Sequence, residues 1–396
     1  MFFRFKKRVF FGSAQVNTKN VNAVNRYRSI DGMRGIAALG VVVFHLAGNL
    51  KPELSILLPD FINVIFSYGY LGVPVFFVIS GFVISLSVKD SPITANYAGN
   101  FILRRSIRLD PTYWASIAVA ILLLSLKNQA LGTSEPIPAF SSVIAHMFYL
   151  QDLLSIEPVI SVVYWTLCLE FQLYLFYLLT AWLSQKIAFV LNNQVYIAHL
   201  LLVILVGIYS VFVDYKLATV SIPGLFISNW HYFLMGVLVS NAVRKLPYSA
   251  FILMAWLVFE VAFQVGVNTK AYGIAGIIST VFIYGLWKND LLDTVLTRGS
   301  FQYLGKLSYT LYLVHPDVGW KVISLGKLAL HDYMSPLLAG FLFLAGIFSS
   351  IIFAHMLHVI FEKPSLWLCA KLKKSSLKEV VAELLASRKP EIKDLP

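Results

Sequence analysis

From about residue 30 to about residue 360 the chain is a succession of apolar runs, each near the twenty residues that cross a bilayer as a helix. The runs fall at 31–50, 69–88, 110–127, 163–184, 195–214, 222–242, 248–267, 271–288, 302–325 and 336–360. Short polar stretches, several with Gly or Pro, separate them. A backbone in lipid must satisfy its own hydrogen bonds, so runs of this length are helices. The pattern predicts an all-α integral membrane protein of about ten transmembrane helices. The stretch 140–156, FSSVIAHMFYLQDLLSI, holds His146, Gln151 and Asp152 and is short for a crossing. It is expected to form an outer loop with a re-entrant or surface helix.

Composition removes the soluble alternative. Apolar residues make up 58% of the chain and charged residues 13%, about half the share usual in water-soluble domains. The net charge of +12 would suit nucleic acid on a soluble protein, but here it follows the membrane. With the N-terminus inside, 25 of the 32 Lys and Arg fall in the tails and inner loops, while six fall in outer loops. Orientation follows Lys and Arg near span ends, so both termini are expected in the cytoplasm, in a multi-pass inner-membrane protein with no nucleic-acid partner. Making 140–156 a full span would reverse everything after it and place KLKKSSLK outside.

The expected divisions are a basic cytoplasmic tail (1–29), a transmembrane domain (30–362) and a second basic tail (363–396). The first tail lacks the apolar core and cleavage site of a signal peptide. In the second, SLKEVVAELLASR has the spacing of a short amphipathic helix. Cys168 and Cys369 lie far apart and imply neither a disulfide framework nor a metal site.

An ionisable residue in lipid is costly unless it is paired or faces an aqueous space, which makes each one a functional candidate. Arg34 and His45 stand eleven residues apart in the first span, so they share a helix face about 16 Å apart along the axis. Ahead of the third span, NFILRRSIRLDPTYW sets Arg105 and Arg108 on one face, with Pro111 expected to break the chain where it enters the membrane. Guanidinium groups on one turn suit phosphate; they also serve as a topology signal. Glu170 opens the fourth span beside Tyr174, and a buried carboxylate of this kind needs a partner. His315 follows Ser308 and Tyr312 on the ninth span and precedes Pro316, which frees a backbone carbonyl nearby. Each histidine could also serve as interhelical glue, and Gly69, Gly72 and Gly81 of the second span suit close packing.

His45, Glu170 and His315 are thus expected in the outer half, and Arg34, Arg105 and Arg108 on the cytoplasmic side. That vertical separation fits transfer of a small group from an anionic carrier held inside to an acceptor reached from outside. A multi-span transporter of a proton-coupled or anionic small molecule uses the same residue types, and a lipid-binding scaffold is a third reading.

At these positions the sequence resembles the acyltransferase family 3 membrane proteins, which O-acylate glycans and some other acceptors. The likeness runs from Tyr27 to Pro364. It comprises the arginine-ten-residues-histidine pair Arg34 and His45, the FFVxSGF element at Phe76–Phe82, RxxR at Arg105 and Arg108, and WSLxxE at Trp165–Glu170. SYxLYLxH at Ser308–His315 and E-[KR]-P at Glu362–Pro364 complete it. Thr166 replaces a serine, and Asp110 stands where an aromatic residue commonly follows the arginines. The fused SGNH hydrolase-like domain of some members is not expected here.

The resemblance implies acyl-CoA, most often acetyl-CoA, as a cytoplasmic co-substrate, with no tightly bound cofactor and no metal. Arg34, Arg105 and Arg108 would hold the donor phosphates. His45, oriented by Glu170, would act as general base on a hydroxyl of a cell-surface or lipid-linked saccharide. His315 would position that acceptor or stabilise the oxyanion.

Overall fold

A computed structural model describes residues 27–88, 92–188, 194–330 and 334–372. Among these residues every regular element is helical. The helices are α1 (Arg28–Asn49), α2 (Glu53–Leu57), α3 (Asp60–Ser67), α4 (Gly72–Ser87), α5 (Ala95–Leu131), α6 (Phe140–Met147) and α7 (Trp165–Ile187). They continue as α8 (Val195–Asp214), α9 (Trp230–Val243), α10 (Ser249–Gly266), α11 (Ala271–Lys288), α12 (Gly299–Ala329), α13 (Pro336–Leu357) and α14 (Lys363–Lys371).

Each of the ten expected spans has its helix, and eight segments are long and apolar enough to cross a membrane. The two that fall short are α9 and α12. Every residue from Trp230 to Ala242 of α9 is buried, so this helix meets protein on all sides and is released from the length and hydropathy that lipid demands. The long α12 carries an unbroken buried stretch from Thr310 to Pro316. These two form the interior of the bundle.

Glycine lets the interior close. Gly81 of α4 lies against the Phe233 carbonyl of α9, and Gly236 of α9 against the backbone of Val78 and Phe82, so neither has room for a Cβ. Small residues at such crossings bring backbones together where lipid supplies no hydrophobic drive. Gly35 of α1 meets the backbone of Leu304 and Gly305 on α12 in the same way.

Contacts between α1 and α12 occur at three heights. Gly35 meets Gly305, His45 meets His315, and Lys327 Nζ donates to the Asn49 carbonyl at 2.8 Å. Residue numbers rise together on the two helices, so they run parallel. Parallel first and ninth spans require an odd number of crossings between them. That agrees with ten spans, and an extra crossing at 140–156 would make them antiparallel.

The stretch 140–156 indeed forms the eight-residue α6 followed by turns. His146 is fully buried there: Nδ1–H donates to the Ser142 carbonyl at 2.8 Å, and Nε2 accepts from the Ile160 amide at 3.3 Å. It therefore needs the neutral ring. Burial pushes its pKa down, opposed by the Ser142 carbonyl and Asp152. A histidine held neutral contributes stability that is complete above the unfolded value of about 6.5 and is lost as pH falls through its own lower value. Protection of the Ile160 amide in hydrogen exchange, corrected for intrinsic rate, should therefore fall on acidification from about pH 7 to about pH 5. Unchanged protection would contradict this role.

One expectation is corrected. Pro111 does not break the chain: α5 runs through it for 37 residues, so the arginine turn and the third span are one helix. Packing of α5 on α12 sustains it there, with the Tyr309 hydroxyl donating to the Leu109 carbonyl at 3.0 Å. Residues from Lys363 begin as a helix, since a π-turn at His358–Glu362 leads α13 into α14, which packs on α5. The amphipathic stretch SLKEVVAELLASR lies outside the described residues.

Candidate active site

The residues singled out along the chain meet along α12, which serves as a ruler. Gly305 packs against Asp31 and Gly35, the latter next to Arg34 in the chain, Tyr309 holds the carbonyl next to Arg108, Tyr312 meets α7, and His315 meets His45. Ten residues separate Gly305 from His315, about 15 Å of helix.

At the far end the two histidines form a directed pair. Pro316 lacks an N–H, which frees the Tyr312 carbonyl four residues back. His315 Nδ1–H donates to that carbonyl at 2.9 Å, with the Leu311 carbonyl at 3.2 Å. This fixes the tautomer of the fully buried ring, so Nε2 carries the lone pair. His45 Nδ1 lies 2.9 Å from that Nε2 and must be the donor. The remaining nitrogen, His45 Nε2, keeps an unshared pair on a ring that is only partly buried. Trp320 packs edge-on against the His45 ring at 5.8 Å and donates its indole N–H to the His45 carbonyl at 3.1 Å. His45 is thus oriented by His315 and not by Glu170.

One turn inward, the Thr166 hydroxyl of WSLxxE donates to the Tyr312 hydroxyl at 2.9 Å. Glu170 stands a further turn along α7. It accepts from Ser80 of the FFVxSGF element at 2.8 Å and from Tyr174. Arg105 lies over the Tyr174 ring at 4.7 Å, so Glu170 belongs to the arginine side of the site.

The three arginines come together. Arg34 and Glu170 both act electrostatically on Arg105, and Arg34, Arg105 and Glu362 act on Arg108. Glu362, from the closing motif, is buried and accepts from His358 at 2.7 Å. Among the described residues none of the three arginines forms an ion pair within 4 Å, and the buried Arg34 Nε has no hydrogen-bond partner. Asp110 is occupied elsewhere, accepting from Tyr149 at 2.8 Å. Three clustered guanidinium groups with unused donors fit an anionic group such as phosphate, whose oxygens would satisfy them. Cys168 is buried, its S–H directed at the Tyr149 carbonyl. No group of His, Cys, Asp or Glu with metal-binding geometry occurs among the described residues.

With this geometry in view, comparison with known proteins is decisive about ancestry. The model of a family described as an acyltransferase domain matches residues 27–355. The chain belongs to this acyltransferase family. Relatives named "Putative O-acetyltransferase" in Staphylococcus aureus strains COL, MSSA476 and N315 are each 24% identical over 371 residues, covering 85% of this chain. The chain spans 56% of the length of these relatives. No solved structure matches it.

A second ionic cluster, outside the family motifs, was missed by the sequence reading. His231 Nδ1 lies 2.9 Å from Glu260 on α10, both fully buried, and Asp214 of α8 pairs with Lys270 at 3.0 Å and accepts from Tyr232 at 3.2 Å. The signal was available, because His231 and Glu260 are ionisable residues inside apolar runs. Their partners lie on different helices and are invisible to spacing along one of them. The cluster ties α8, α9 and α10 together.

Proposed function

We propose that this protein is a membrane O-acyltransferase that moves an acyl group, most often acetyl, from acyl-CoA to a hydroxyl of a cell-surface or lipid-linked glycan. The observation that carries the reading is the histidine pair, which leaves His45 Nε2 with a free lone pair two to three helical turns from a cluster of unpaired arginines. CoA has its phosphates and its thioester at opposite ends of an extended arm, and this separation suits that arm. Cytoplasmic entry of the donor at Arg34, Arg105 and Arg108 follows from the charge bias of the loops.

His45 Nε2 takes the proton of the acceptor hydroxyl as its oxygen attacks the thioester carbon. A C–O bond forms, the C–S bond breaks, and the imidazolium returns the proton to the departing thiolate. His315 holds the Nδ1–H that lets Nε2 act as base, and it gains strength as the His45 ring becomes positive. Glu170, held by Ser80 and Tyr174, steadies Arg105 beneath the reacting centre.

Two measurements address this. Purified protein given labelled acetyl-CoA and isolated envelope polysaccharide should place ester-linked label on the saccharide; proton flux coupled to solute uptake, with no ester formed, would favour a transporter. Replacement of His315 should separate tautomer control from bulk packing. His315→Gln can still accept from His45 and donate to the Tyr312 carbonyl, whereas His315→Ala can do neither. Transfer by His315→Gln should exceed that by His315→Ala by about tenfold, the scale of one oriented hydrogen bond to a developing charge. Equal rates in two folded variants would reject the relay.

A further inference from the structure

Beside the histidine pair lies a cavity of about 270 Å³ that none of the family motifs covers. Its floor is Pro316, Asp317, Trp320 and the buried Ser161; its mouth is rimmed by the exposed Glu135 and Pro158 from the two loops flanking α6. Pro316 is bonded to His315, and Trp320 touches His45 through both its ring and its N–H. The cavity is therefore one indole ring away from the candidate base.

The chemistry of the lining is specific. Asp317 Oδ2 and Ser161 Oγ are buried without a hydrogen-bond partner, although they face each other closely enough to interact. Buried polar atoms are normally satisfied, and a carboxylate whose one neighbouring group is the Ser161 hydroxyl keeps accepting capacity that a ligand entering the cavity would use. Charge is balanced around them: Lys321 faces Asp317 and Glu135, and Lys127 pairs with Glu135. Two lysines against two carboxylates give no net preference for an anion or a cation. A carboxylate that accepts from hydroxyls, a hydroxyl that donates, and an indole that covers an apolar C–H face together recognise a neutral sugar ring. The volume is close to the lower bound of about 300 Å³ for small-molecule sites.

We propose that this cavity is the acceptor subsite, binding a hexose-sized unit of the glycan through Asp317, Ser161 and Lys321 against Trp320 so that its hydroxyl is presented to His45. The inference rests on the acyltransferase reading and assigns that reading its acceptor residues.

The test uses the full chain, with Asp317→Asn, Ser161→Ala and Lys321→Met variants. CoA binding to purified protein is followed by titration, and acetyl ester on envelope polysaccharide by mass spectrometry of cells expressing each variant. Asp317→Asn keeps the side-chain shape and should bind CoA as wild type does while lowering the ester about tenfold, the loss expected when a charged hydrogen-bond acceptor is removed. Ester at the wild-type level in Asp317→Asn overturns the subsite. Should Asp317→Asn also lose CoA binding, Ser161→Ala and Lys321→Met decide: reduced ester with intact CoA binding supports the site, and unchanged ester overturns it. Wild-type cells that gain no ester, from a protein that binds no CoA, would instead defeat the acyltransferase reading itself.

Discussion

Replacing His45 with alanine should abolish acyl transfer while leaving the donor bound. A positioned general base contributes about 10² to 10⁴ in rate, and His45 Nε2 is the free basic nitrogen of the pair. Its partner cannot substitute: His315 is fully buried, and its Nδ1–H is committed to the carbonyl that Pro316 leaves open. CoA titration should give the same affinity for His45→Ala as for wild type, because the arginines lie two to three turns inward. Transfer of labelled acetyl from acetyl-CoA should fall by the full factor. A folded His45→Ala variant that transfers at the wild-type rate would remove this residue from the chemistry.

The second large effect is expected at Arg105, which combines several roles. It stacks on Tyr174, shares its surroundings with Arg34 and Arg108, and sits beside Glu170. A charge-assisted hydrogen bond contributes about 1.5 to 3 kcal/mol, so Arg105→Ala should weaken CoA binding by about ten- to a hundredfold at constant fold. Arg105→Lys should recover little of this, because an ammonium neither forks onto phosphate nor lies flat on an aromatic ring. The loss should be smaller for dephospho-CoA if Arg105 meets the terminal phosphate, and the same size if it meets the pyrophosphate. Unchanged CoA binding by Arg105→Ala would reject the phosphate role.

The sequence made much of this legible, and the reasons are physical. Span positions were readable because lipid imposes a length and a composition on every helix it touches, and α7, α8, α10 and α11 obey both. The interior helix α9 obeys neither, since protein surrounds it, and α12 has the length but not the composition, its middle turns being buried in protein. The separation of Arg34 from His45 followed from helical geometry alone. The approach of His315 to His45 did not, because it depends on Gly35 and Gly305 allowing α1 and α12 to touch. Glu170 was legible as a buried acid in need of partners; which partners it takes, Ser80 and Tyr174, is set by how α4 meets α7. The cavity above the histidines was not legible, being assembled from α5, α12 and two loops whose side chains have no periodic relation. The His231–Glu260 pair could have been flagged residue by residue, but only folding shows that they answer each other.

On the proposed function, an acyl group passes from a donor at the arginines to a glycan hydroxyl at His45. Mass spectrometry of envelope polysaccharides, comparing cells with the gene, cells without it, and cells carrying His45→Ala, tests this most directly. An O-acyl ester, acetyl in the simplest case, is expected only with the wild-type gene. An identical acyl pattern across all polysaccharides in the three strains would contradict it.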